Sequence, residues 1–443
     1  MSVAISSRLD KNRKPLFNVI GVDVPTRPGK SIVEKLNNGL FPFNNVDSTI
    51  SENLKSVVKR GNFTATTSNE AYGLADVVIV SMNCDLINDR NNSVIDLDNF
   101  KNGILEMASF IQEDVLVIIE STVPPGACEK IIYPLIVEAF KKRSLDYNKF
   151  YLAHSYERVM PGENYLESII NYWRVYSGIN IESAEKCEKF LSKIINIDDY
   201  PLSRLESTTS SEIGKLLENS YRAVNIAFIE EWSRFSEEVG VDLYEIVKTI
   251  RKRPTHSNIR HPGFGVGGYC LTKDPLFAKI AANDYLGLNG HDFPFSTKAV
   301  EVNNQMPLVT LDKVIEYFGG TLDGKKILLM GITYREDIGD TRFSPSEIFY
   351  NEAEARGASL KAYDPLVDYW IEIGLDVFNN LPNLSDFDAV VFTTSHKSFK
   401  KINFNEWMSN NEILCFDANN VLTKEQVAVI ENKKIDYLSI GRG

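Results

Sequence analysis

Short runs of apolar, β-branched residues recur near both ends of this chain, and they limit its fold more than any other feature. The runs cover residues 75–81, 115–120 and 150–155 in the first half, and residues 325–331, 358–363, 388–394 and 413–417 near the C-terminus. Continuous runs of this length are typical of parallel strands whose two faces are both covered by helices. The sequence therefore predicts an α/β fold with a doubly wound, Rossmann-like region at each end.

The region between these ends has helical spacing of its apolar residues. After a linker at residues 202–207, residues 210–239 predict one long helix, and 243–251 predict a second. Further helices are expected after Pro275 and over residues 294–317. A chain of 443 residues is expected to hold two or three domains. We expect a first α/β domain over residues 1–201, a helical central domain over 202–318 and a second α/β domain over 319–443.

Asp23 ends a predicted strand over residues 17–23. In a dinucleotide-binding fold, the acid at the end of the second strand hydrogen-bonds the adenosine ribose. Asp23 suits this role, and an aspartate in an ordinary turn is the alternative. A first strand and its glycine-rich turn should come earlier, but residues 1–9 have helical spacing instead. We therefore expect the N-terminal domain to lack its first strand and glycine-rich turn, because the start is misassigned or the protein is truncated.

A glycine-rich stretch over residues 262–274, PGFGVGGYCLTKD, delivers a single cysteine with a lysine and an aspartate just behind it. Glycine permits close backbone approach to a ligand, and a cysteine thiolate is a nucleophile that a nearby cation promotes. Cys270, Lys273 and Asp274 therefore indicate a site of covalent catalysis. The alternative is a glycine-rich turn that carries a buried structural cysteine.

The same stretch matches the dinucleotide-binding spacing G-x-G-x-x-G at Gly263, Gly265 and Gly268. That spacing indicates dinucleotide binding only between a strand and a helix. Residues 255–262 are polar and end in proline, so no strand is expected there, and the dinucleotide interpretation is rejected.

Polar side chains follow two of the predicted strands in the first half of the chain. Ser121 and Thr122 lie between a strand and a helix start, a place suited to anions and waters, although helix capping is an alternative. Glu157 and Arg158 follow another strand. They are interpreted as groups that order a water molecule, or as a surface ion pair, fixed in place by a Pro-Gly turn.

Lys215 and Asn219 are four residues apart in the predicted long helix, so they share one face. A lysine with an asparagine neighbour is able to donate to a developing alkoxide. The alternative is an ordinary solvated helix face.

Two arginines flank a helix start in the second α/β region. Ser344 is expected to cap this helix, with Pro345 in its first turn and Glu347 completing a capping box. Arg335 and Arg342 lie on either side, and arginine beside a helix N-terminus indicates a phosphate site. Because no G-x-G-x-x-G occurs here, we expect a nucleotide other than NAD.

Composition narrows the function classes. The net charge of −12 argues against binding to nucleic acid or an anionic membrane. No apolar run is long enough to span a bilayer, and no signal peptide is recognisable. The five scattered cysteines form no C-x-x-C and favour a reducing cytoplasm. The five histidines form no H-E-x-x-H, so no dedicated metal site is expected.

Six segments, in this order, give the chain a resemblance to the nucleotide-sugar 6-dehydrogenases, the UDP-glucose, UDP-N-acetylmannosamine and GDP-mannose dehydrogenase family. The segments are residues 120–126 (ESTVPPG), 157–162 (ERVMPG), 215–227 (KLLENSYRAVNIA), 265–274, 331–335 and 340–345. The resemblance implies an NAD-dependent oxidation of a sugar C6 alcohol to a carboxylate in two steps, with the C-terminal domain binding a UDP-sugar. It also implies a homodimer built by the central helices, in which the partner completes the sugar site.

The resemblance assigns roles to the residues singled out above. Cys270 is implied to form a thiohemiacetal and then a thioester, with Lys215 and Asn219 stabilising the alkoxide-like oxygen and Asp274 assisting proton transfers. Thr122 and Glu157 are implied to position or activate the hydrolytic water. The implied cofactor-binding residues are Asp23, Ser121, Thr122 and Lys273. The implied substrate-binding residues are Glu157, Arg158, Lys215, Asn258, Arg260, Gly267, Arg335 and Arg342.

Some residues depart from the family pattern. Tyr156 and Thr272 each replace a proline, Asn419 stands where many members have arginine, and Arg335 falls where lysine is usual. The 157–162 turn looks like the N-acetylhexosamine branch, whereas residues 269–271 look like the UDP-glucose branch. We expect a UDP-N-acetylhexosamine, with UDP-glucose as the alternative. A truncated, inactive nucleotide-sugar-binding homologue and a two-electron hydroxyacid dehydrogenase are the other hypotheses.

Overall fold

The computed structural model describes residues 1–43, 47–89, 92–159, 162, 164–284, 286–408 and 412–443. They form two compact units, Met1–Glu218 with Leu276–Asp292, and Asn219–Pro275 with Phe293–Gly443. None of the helices in these ranges is both long enough and apolar enough to cross a bilayer. The predicted division into three domains remains a prediction.

The first unit is built on a five-stranded, mainly parallel sheet with helices on its faces. The strands of the whole unit, which include four outside that sheet, are β1 (Val19–Val22), β2 (Phe63–Thr66), β3 (Val77–Val80), β4 (Asp85–Asp89), β5 (Asn92–Asp96), β6 (Leu116–Ile119), β7 (Tyr151–His154), β8 (Val175–Gly178) and β9 (Ser203–Arg204). Its helices are α1 (Ser2–Ser6), α2 (Arg27–Asn37), α3 (Ser48–Arg60), α4 (Asp98–Ala108), α5 (Tyr133–Lys142), α6 (Tyr165–Ile170) and α7 (Ile181–Leu191).

The sheet order in this unit is β3-β6-β7-β8-β9, and β7 and β8 form its one antiparallel pair. Strands β1 and β2 form a separate parallel pair, and β4 and β5 form a hairpin. All four residues of β6 are buried, as the continuous apolar run predicts for a central parallel strand. The predicted linker over residues 202–207 is wrong in one respect, because it contains β9, which pairs with β8.

Four helices confirm the helical middle of the chain. They are α8 (Thr208–Glu238), α9 (Leu243–Ile250), α10 (Asp274–Asp284) and α11 (Pro294–Tyr317). The side chain of Asp242 caps α9 by accepting hydrogen bonds from the backbone of Tyr244 and Glu245. Residues 257–268 form neither helix nor strand, so the rejection of a dinucleotide motif at this glycine-rich stretch is confirmed.

The second unit has a fully parallel sheet in the order β11-β10-β14-β15-β16. The strands are β10 (Lys326–Met330), β11 (Ser359–Tyr363), β12 (Tyr369–Trp370), β13 (Leu375–Asp376), β14 (Ala389–Phe392), β15 (Leu414–Asp417) and β16 (Tyr437–Ser439). The helices are α12 (Pro345–Ala355), α13 (Phe404–Trp407) and α14 (Lys424–Asn432). Strands β14 and β15 are buried throughout, which confirms the second α/β region.

The start of α12 follows the prediction only in part. Ser344 is the N-cap and Pro345 the first helical residue, as expected. The Ser344 hydroxyl accepts from the Ser346 N–H at 3.3 Å, and the Ser344 N–H donates to the Thr341 carbonyl at 3.1 Å. The predicted capping box with Glu347 is therefore wrong. The Glu347 side chain would have to accept the Ser344 N–H, but this group already donates to Thr341 in a tight turn before the helix.

Candidate active site

Two neighbouring strands bring Thr122 and Glu157 to one edge of the first sheet. Strands β6 and β7 pair in parallel, with Ile119 opposite His154. Thr122 lies three positions beyond the end of β6, and Glu157 lies three positions beyond the end of β7. The carboxyl ends of parallel strands form the edge where open α/β sheets bind ligands. Both side chains are partly exposed, so this edge is accessible to a substrate. Residues 160 and 161 of the predicted 157–162 turn lie outside the described residues.

Lys215 reaches the same edge from α8. Its ammonium donates to the Glu157 carbonyl oxygen at 2.9 Å and lies 5.6 Å from the centre of the Tyr156 ring. The start of α8 is fixed by Ser211, whose hydroxyl is 2.7 Å from His154 Nδ1 and 2.6 Å from the Ser177 hydroxyl. The helix therefore holds Lys215 over the strand ends.

A buried ion pair at this edge was not anticipated from the sequence. The Arg174 guanidinium pairs with the Glu120 carboxylate and also donates to the Ser155 hydroxyl at 3.2 Å. Glu120 accepts a second hydrogen bond from the Ser81 hydroxyl at 3.0 Å. Both charged side chains are almost fully buried. The sequence contained one signal of this ion pair, the position of Glu120 at the end of a predicted strand. The residues around Arg174 do not indicate that it pairs with Glu120.

Glu212 is a second buried carboxylate that sequence analysis missed. It accepts hydrogen bonds from the backbone N–H groups of Gly126 at 2.6 Å and Cys128 at 2.9 Å. Burial raises its pKa to about 7, although these hydrogen bonds oppose the rise. Glu212 thus ties α8, one turn before Lys215, to the loop that follows Thr122.

Arg158 makes its contacts within the first unit. Its guanidinium pairs with Glu218, donates to the Tyr156 hydroxyl at 3.2 Å, and donates to the Trp173 carbonyl at 3.3 Å. The ion pair offered as an alternative in sequence analysis therefore exists, but with Glu218 rather than Glu157. Its predicted role in substrate binding remains a prediction.

Asp23 and Ser121, two of the predicted NAD-binding residues, each lie just beyond the end of a parallel strand. Asp23 directly follows β1, and its carboxylate accepts the Val24 N–H at 2.7 Å. Ser121 follows β6, and its hydroxyl donates to the Val80 carbonyl at 3.2 Å. A carboxylate and hydroxyl groups beyond parallel strands suit the ribose hydroxyls and the amide of a nicotinamide dinucleotide. These residues therefore fit NAD.

In the second unit, Cys270 is exposed in the turn that begins α10. Its carbonyl accepts from the Asp274 N–H at 2.9 Å. Asp274 is fully buried, and its carboxylate accepts from Asn219 Nδ2 at 2.7 Å and lies 3.2 Å from Lys273 Nζ. The Lys273 ammonium also lies 4.3 Å from the centre of the Tyr269 ring. The turn that carries the Cys270 thiol therefore leads into the Asp274 carboxylate, which contacts the Asn219 amide and the Lys273 ammonium group.

The other four cysteines differ from Cys270 in that all are buried. Burial raises the pKa of Cys187 to about 12 and raises the pKa of Cys128 and Cys415 well above the ordinary value. A thiol held in its protonated form is a poor nucleophile. Among the five cysteines, only Cys270 combines exposure with nearby charged groups.

Close packing explains the glycines before Cys270. A Cβ atom added to Gly267 would lie 2.6 Å from the Phe343 carbonyl oxygen and 2.7 Å from Tyr334 Cβ. Gly268 has a φ of +83° and would meet the Tyr334 ring at 2.8 Å. Only glycine permits such an approach, so the cysteine turn packs directly on the loop after β10.

A small polar pocket opens at the carboxyl ends of β10 and β14. It is lined by Phe264, Gly265, Thr333, Tyr334, Arg335, Glu336, Pro345, Thr393, Thr394 and Asn419. Arg335 lines the pocket, whereas Arg342 forms an ion pair with Asp340 at 2.7 Å. The N-terminus of α12 provides Pro345, so the predicted phosphate site has the expected surroundings.

Asn258 and Arg260, the remaining predicted substrate-binding residues, lie in the segment before the cysteine turn. Asn258 donates to the Tyr221 hydroxyl at 2.6 Å, and the Arg260 N–H donates to the Asn225 side chain at 3.0 Å. Asn419, which departs from the family pattern, accepts from the Phe264 N–H and donates to the Thr393 carbonyl at 3.0 Å. It thereby connects the glycine-rich segment to the strand ends.

Three models of one protein family match successive parts of the chain. They describe the NAD binding domain of the UDP-glucose/GDP-mannose dehydrogenase family over residues 12–195, its central domain over 209–305, and its UDP binding domain over 328–424. The chain belongs to the UDP-glucose/GDP-mannose dehydrogenase family. This membership confirms the resemblance and the α/β fold class with a central helical region.

Individual relatives agree with this membership. The chain is 29% identical to the UDP-N-acetyl-D-mannosamine dehydrogenase of Methanocaldococcus jannaschii, over 92% of this chain and 88% of that protein. It is 27% identical to the NDP-N-acetyl-D-galactosaminuronic acid dehydrogenase of Ralstonia nicotianae, over 87% of this chain and 86% of that protein. The solved UDP-D-ManNAc dehydrogenase of Pyrococcus horikoshii superposes with a TM-score of 0.82 and 26% identity, covering 100% of this chain and 96% of that one.

These findings confirm that the protein is an enzyme, an NAD-dependent nucleotide-sugar dehydrogenase, as the resemblance implied. NAD as the cofactor is confirmed with it. The UDP binding domain supports a UDP-sugar as the substrate. The individual roles of the site residues remain predictions.

Proposed function

We propose that this dehydrogenase oxidises the C6 hydroxyl group of a UDP-N-acetylhexosamine to a carboxylate in a four-electron reaction through Cys270. The observation that carries the proposal is an exposed thiol one helical turn before a buried carboxylate that Asn219 and Lys273 hold in place. The relatives named as UDP-N-acetyl-D-mannosamine dehydrogenases support the N-acetylhexosamine.

The chemistry requires a covalent stage. An alcohol becomes an acid by losing two hydrides, and the intermediate aldehyde loses the second only after a nucleophile adds. Cys270 Sγ adds to C6 of the aldehyde, and the carbonyl oxygen takes a proton, which gives a thiohemiacetal. Loss of a hydride and the hydroxyl proton gives a thioester. Water then adds to the thioester carbon, and the carbon–sulfur bond breaks to release the carboxylate and the thiol.

NAD, when bound, accepts the hydride in each oxidation. The chain's own residues bind and position the other groups. In this proposal Lys215 stabilises negative charge on the C6 oxygen, and Asn219 fixes Asp274 for proton transfer. Thr122 and Glu157, which share one strand edge, position the hydrolytic water.

The substitution Cys270→Ser tests the covalent stage. We expect the variant to form no uronate, as measured by mass spectrometry, while UDP-sugar binding persists. The matched control is Cys187→Ala, because Cys187 is buried and its pKa is raised to about 12. Uronate formation by Cys270→Ser at the wild-type rate would contradict the covalent scheme.

Substrate competition tests the sugar. We expect kcat/KM to be higher for UDP-N-acetylmannosamine or UDP-N-acetylgalactosamine than for UDP-glucose, the alternative substrate. Two NADH molecules should form per sugar, whereas a two-electron hydroxyacid dehydrogenase would form one per substrate and would not need Cys270. A protein that binds UDP-sugar but gives no saturable NADH fluorescence change would be the inactive homologue instead.

We also propose that the enzyme is a homodimer. In the second unit, α8 and α9 line an apolar cavity of about 660 Å³. Four of the side chains around it are about half exposed, namely Phe228, Trp232, Phe235 and Val239. Apolar surface of this kind marks an interaction site, and a second copy of the chain is the occupant that the family resemblance implies.

Light scattering after size-exclusion chromatography tests the homodimer. Trp232→Glu is expected to halve the mass, whereas Trp173→Glu, on an equally exposed tryptophan of the first unit, should not. An unchanged mass for Trp232→Glu would contradict this interface.

The scattered cysteines, four of them buried thiols, support a cytoplasmic location in our proposal.

A further inference from the structure

His396 is a fully buried histidine at the carboxyl end of β14. Its Nε2 lies 3.1 Å from Asp364 Oδ2 and 3.1 Å from the Thr333 hydroxyl. Its Nδ1 accepts the Asp337 N–H at 3.0 Å. The ring therefore connects the ends of three adjacent strands, β10, β11 and β14, at the edge that holds the polar pocket.

The hydrogen bonds fix which nitrogen carries the proton. Nδ1 accepts a backbone N–H, so it has no proton in this arrangement, and Nε2–H donates toward Asp364. Asp364 also accepts the Ile332 N–H at 2.9 Å. The Nδ1 end of the network therefore requires an acceptor, and the Nε2 end requires a donor.

The backbone of Asp337, whose N–H donates to His396, is strained. Asp337 has a φ of +57°, in the left-handed region that residues other than glycine rarely adopt. Two contacts hold it there: its N–H on His396, and its Oδ1, which accepts the Lys397 N–H at 3.1 Å. Strain that the surroundings over-determine is typical of functional sites.

The strained residue ends the loop that carries Arg335. Thr333 and Asp337 are the two ends of this loop, and both contact the His396 ring. The Thr333 hydroxyl also hydrogen-bonds the Arg335 carbonyl at 3.1 Å. The pocket-lining residues Tyr334, Arg335 and Glu336 lie between them, so the position of the histidine ring sets the position of the arginine backbone.

We propose that His396 is a positioning residue for the nucleotide diphosphate. It holds the loop over residues 333–337 so that Arg335 meets the phosphates, and loss of the acceptor at Nδ1 releases the loop. The inference rests on the proposed function in one respect, because it assumes that the UDP group occupies this pocket.

Charged and aromatic groups surround the ring. Asp364 and Asp337 face it, with Asp337 Oδ1 at 3.7 Å from Nδ1, and Lys397 Nζ lies 3.7 Å from Asp337 Oδ2. The Phe399 ring covers it on another side, with 5.3 Å between ring centres. A side chain without an acceptor at the Nδ1 position would no longer accept the Asp337 N–H, so the strained backbone would lose this contact.

UDP binding by the full-length protein, measured by calorimetry at about pH 8, tests the proposal. The asparagine oxygen of His396→Asn keeps an acceptor near the Nδ1 position, so we expect this variant to bind UDP within about twofold of the wild type.

Two further variants complete the design. His396→Leu removes the acceptor and should bind UDP about tenfold more weakly than the wild type. His154→Asn is the matched control, because His154 is a fully buried histidine of the first unit, and its UDP affinity should match the wild type. Thermal unfolding identifies a variant that does not fold, and His396→Ala replaces His396→Leu in that case.

A His396→Asn variant that binds UDP as weakly as His396→Leu would overturn the inference and show a histidine that merely fills the core. Wild-type affinity in His396→Leu would overturn it as well. Either result leaves the proposed oxidation intact, whereas a wild-type protein that binds no UDP would overturn both.

Discussion

The two α/β units hold their ligand edges in place with different chemistry. In the first unit, the Glu120–Arg174 ion pair is buried beneath the ends of β6 and β7. In the second unit, the His396–Asp364 pair is buried at the ends of β11 and β14. Each pair fixes the loops that follow its strands.

The difference lies in what each pair holds. The first pair joins a guanidinium to a carboxylate, both almost fully buried, so loss of one partner leaves the other buried and unpaired. The second pair joins a carboxylate to an imidazole ring whose other nitrogen accepts the Asp337 N–H, so the ring also holds the loop that carries Arg335. The comparison predicts a first edge whose loss destabilises the fold and a second edge whose change alters ligand binding.

Breaking the ion pair should give the largest effect. Arg174→Met leaves Glu120 buried without its cation, and we expect the free energy of unfolding to fall by about 3–5 kcal/mol. Urea unfolding measures this loss, and adding Glu120→Gln should restore part of it. Lys142→Met, in an exposed pair with Glu138, is the control and should change nothing measurable. A small loss for Arg174→Met would mean that the buried pair does not support this edge.

The second edge should be sensitive to crowding of the cysteine turn. Gly267→Ala places a Cβ within 3 Å of Phe343, Tyr334 and Pro345, and overpacking of this kind costs about 1–3 kcal/mol. We expect UDP affinity to fall accordingly in calorimetry. Gly21→Ala is the control, since its Cβ would make ordinary contacts near 3.8 Å. Unchanged UDP affinity in Gly267→Ala would separate the cysteine turn from the nucleotide pocket.

Glu212 tests whether the first unit contains a titrating group of its own. Burial raises its pKa to about 7, so the folded state holds a proton that the unfolded state has lost between its ordinary pKa and about 7. Its stabilising contribution is therefore complete below the ordinary pKa of glutamate and is lost as the pH rises through about 7. Between pH 5 and 8, wild-type unfolding free energy should fall by about 2–3 kcal/mol relative to Glu212→Gln.

Urea unfolding at several pH values measures this difference. Glu230, whose pKa burial also raises to about 7, is present in both proteins, so its contribution cancels. Parallel curves for the wild type and Glu212→Gln would show that Glu212 does not titrate with folding.

The smallest effect is expected for Asp337→Asn. Asparagine tolerates the left-handed conformation and keeps an oxygen for the Lys397 N–H, but it removes the carboxylate charge beside Lys397. We expect stability to change by less than about 0.5 kcal/mol, and UDP affinity to stay within about twofold of the wild type. A large loss of affinity at pH 8 would assign the role to the Asp337 charge rather than to its backbone.

The site was predictable where its residues are neighbours in the chain. The glycine-rich segment, Cys270 and Asp274 lie within one short stretch, and Lys215 and Asn219 share a helix face. Thr122 and Glu157 followed from strand ends, because parallel strands bring their carboxyl ends to a common edge. The hydrogen bond between Asn219 and Asp274 joins residues 55 positions apart, and no local pattern announced it.

The sequence by itself determined eight of the strands, the long helix and the family, because apolar periodicity and motif order are local properties. Strands such as β2, β8 and β16 were not predicted. Only the tertiary structure decided which buried polar groups meet: Glu120 with Arg174 across 54 residues, His396 with Asp364 across 32, and Glu212 with Cys128 across 84. The physical reason is that a buried charge or hydrogen-bonding group must find a partner. Chain topology, rather than neighbouring residues, supplies that partner.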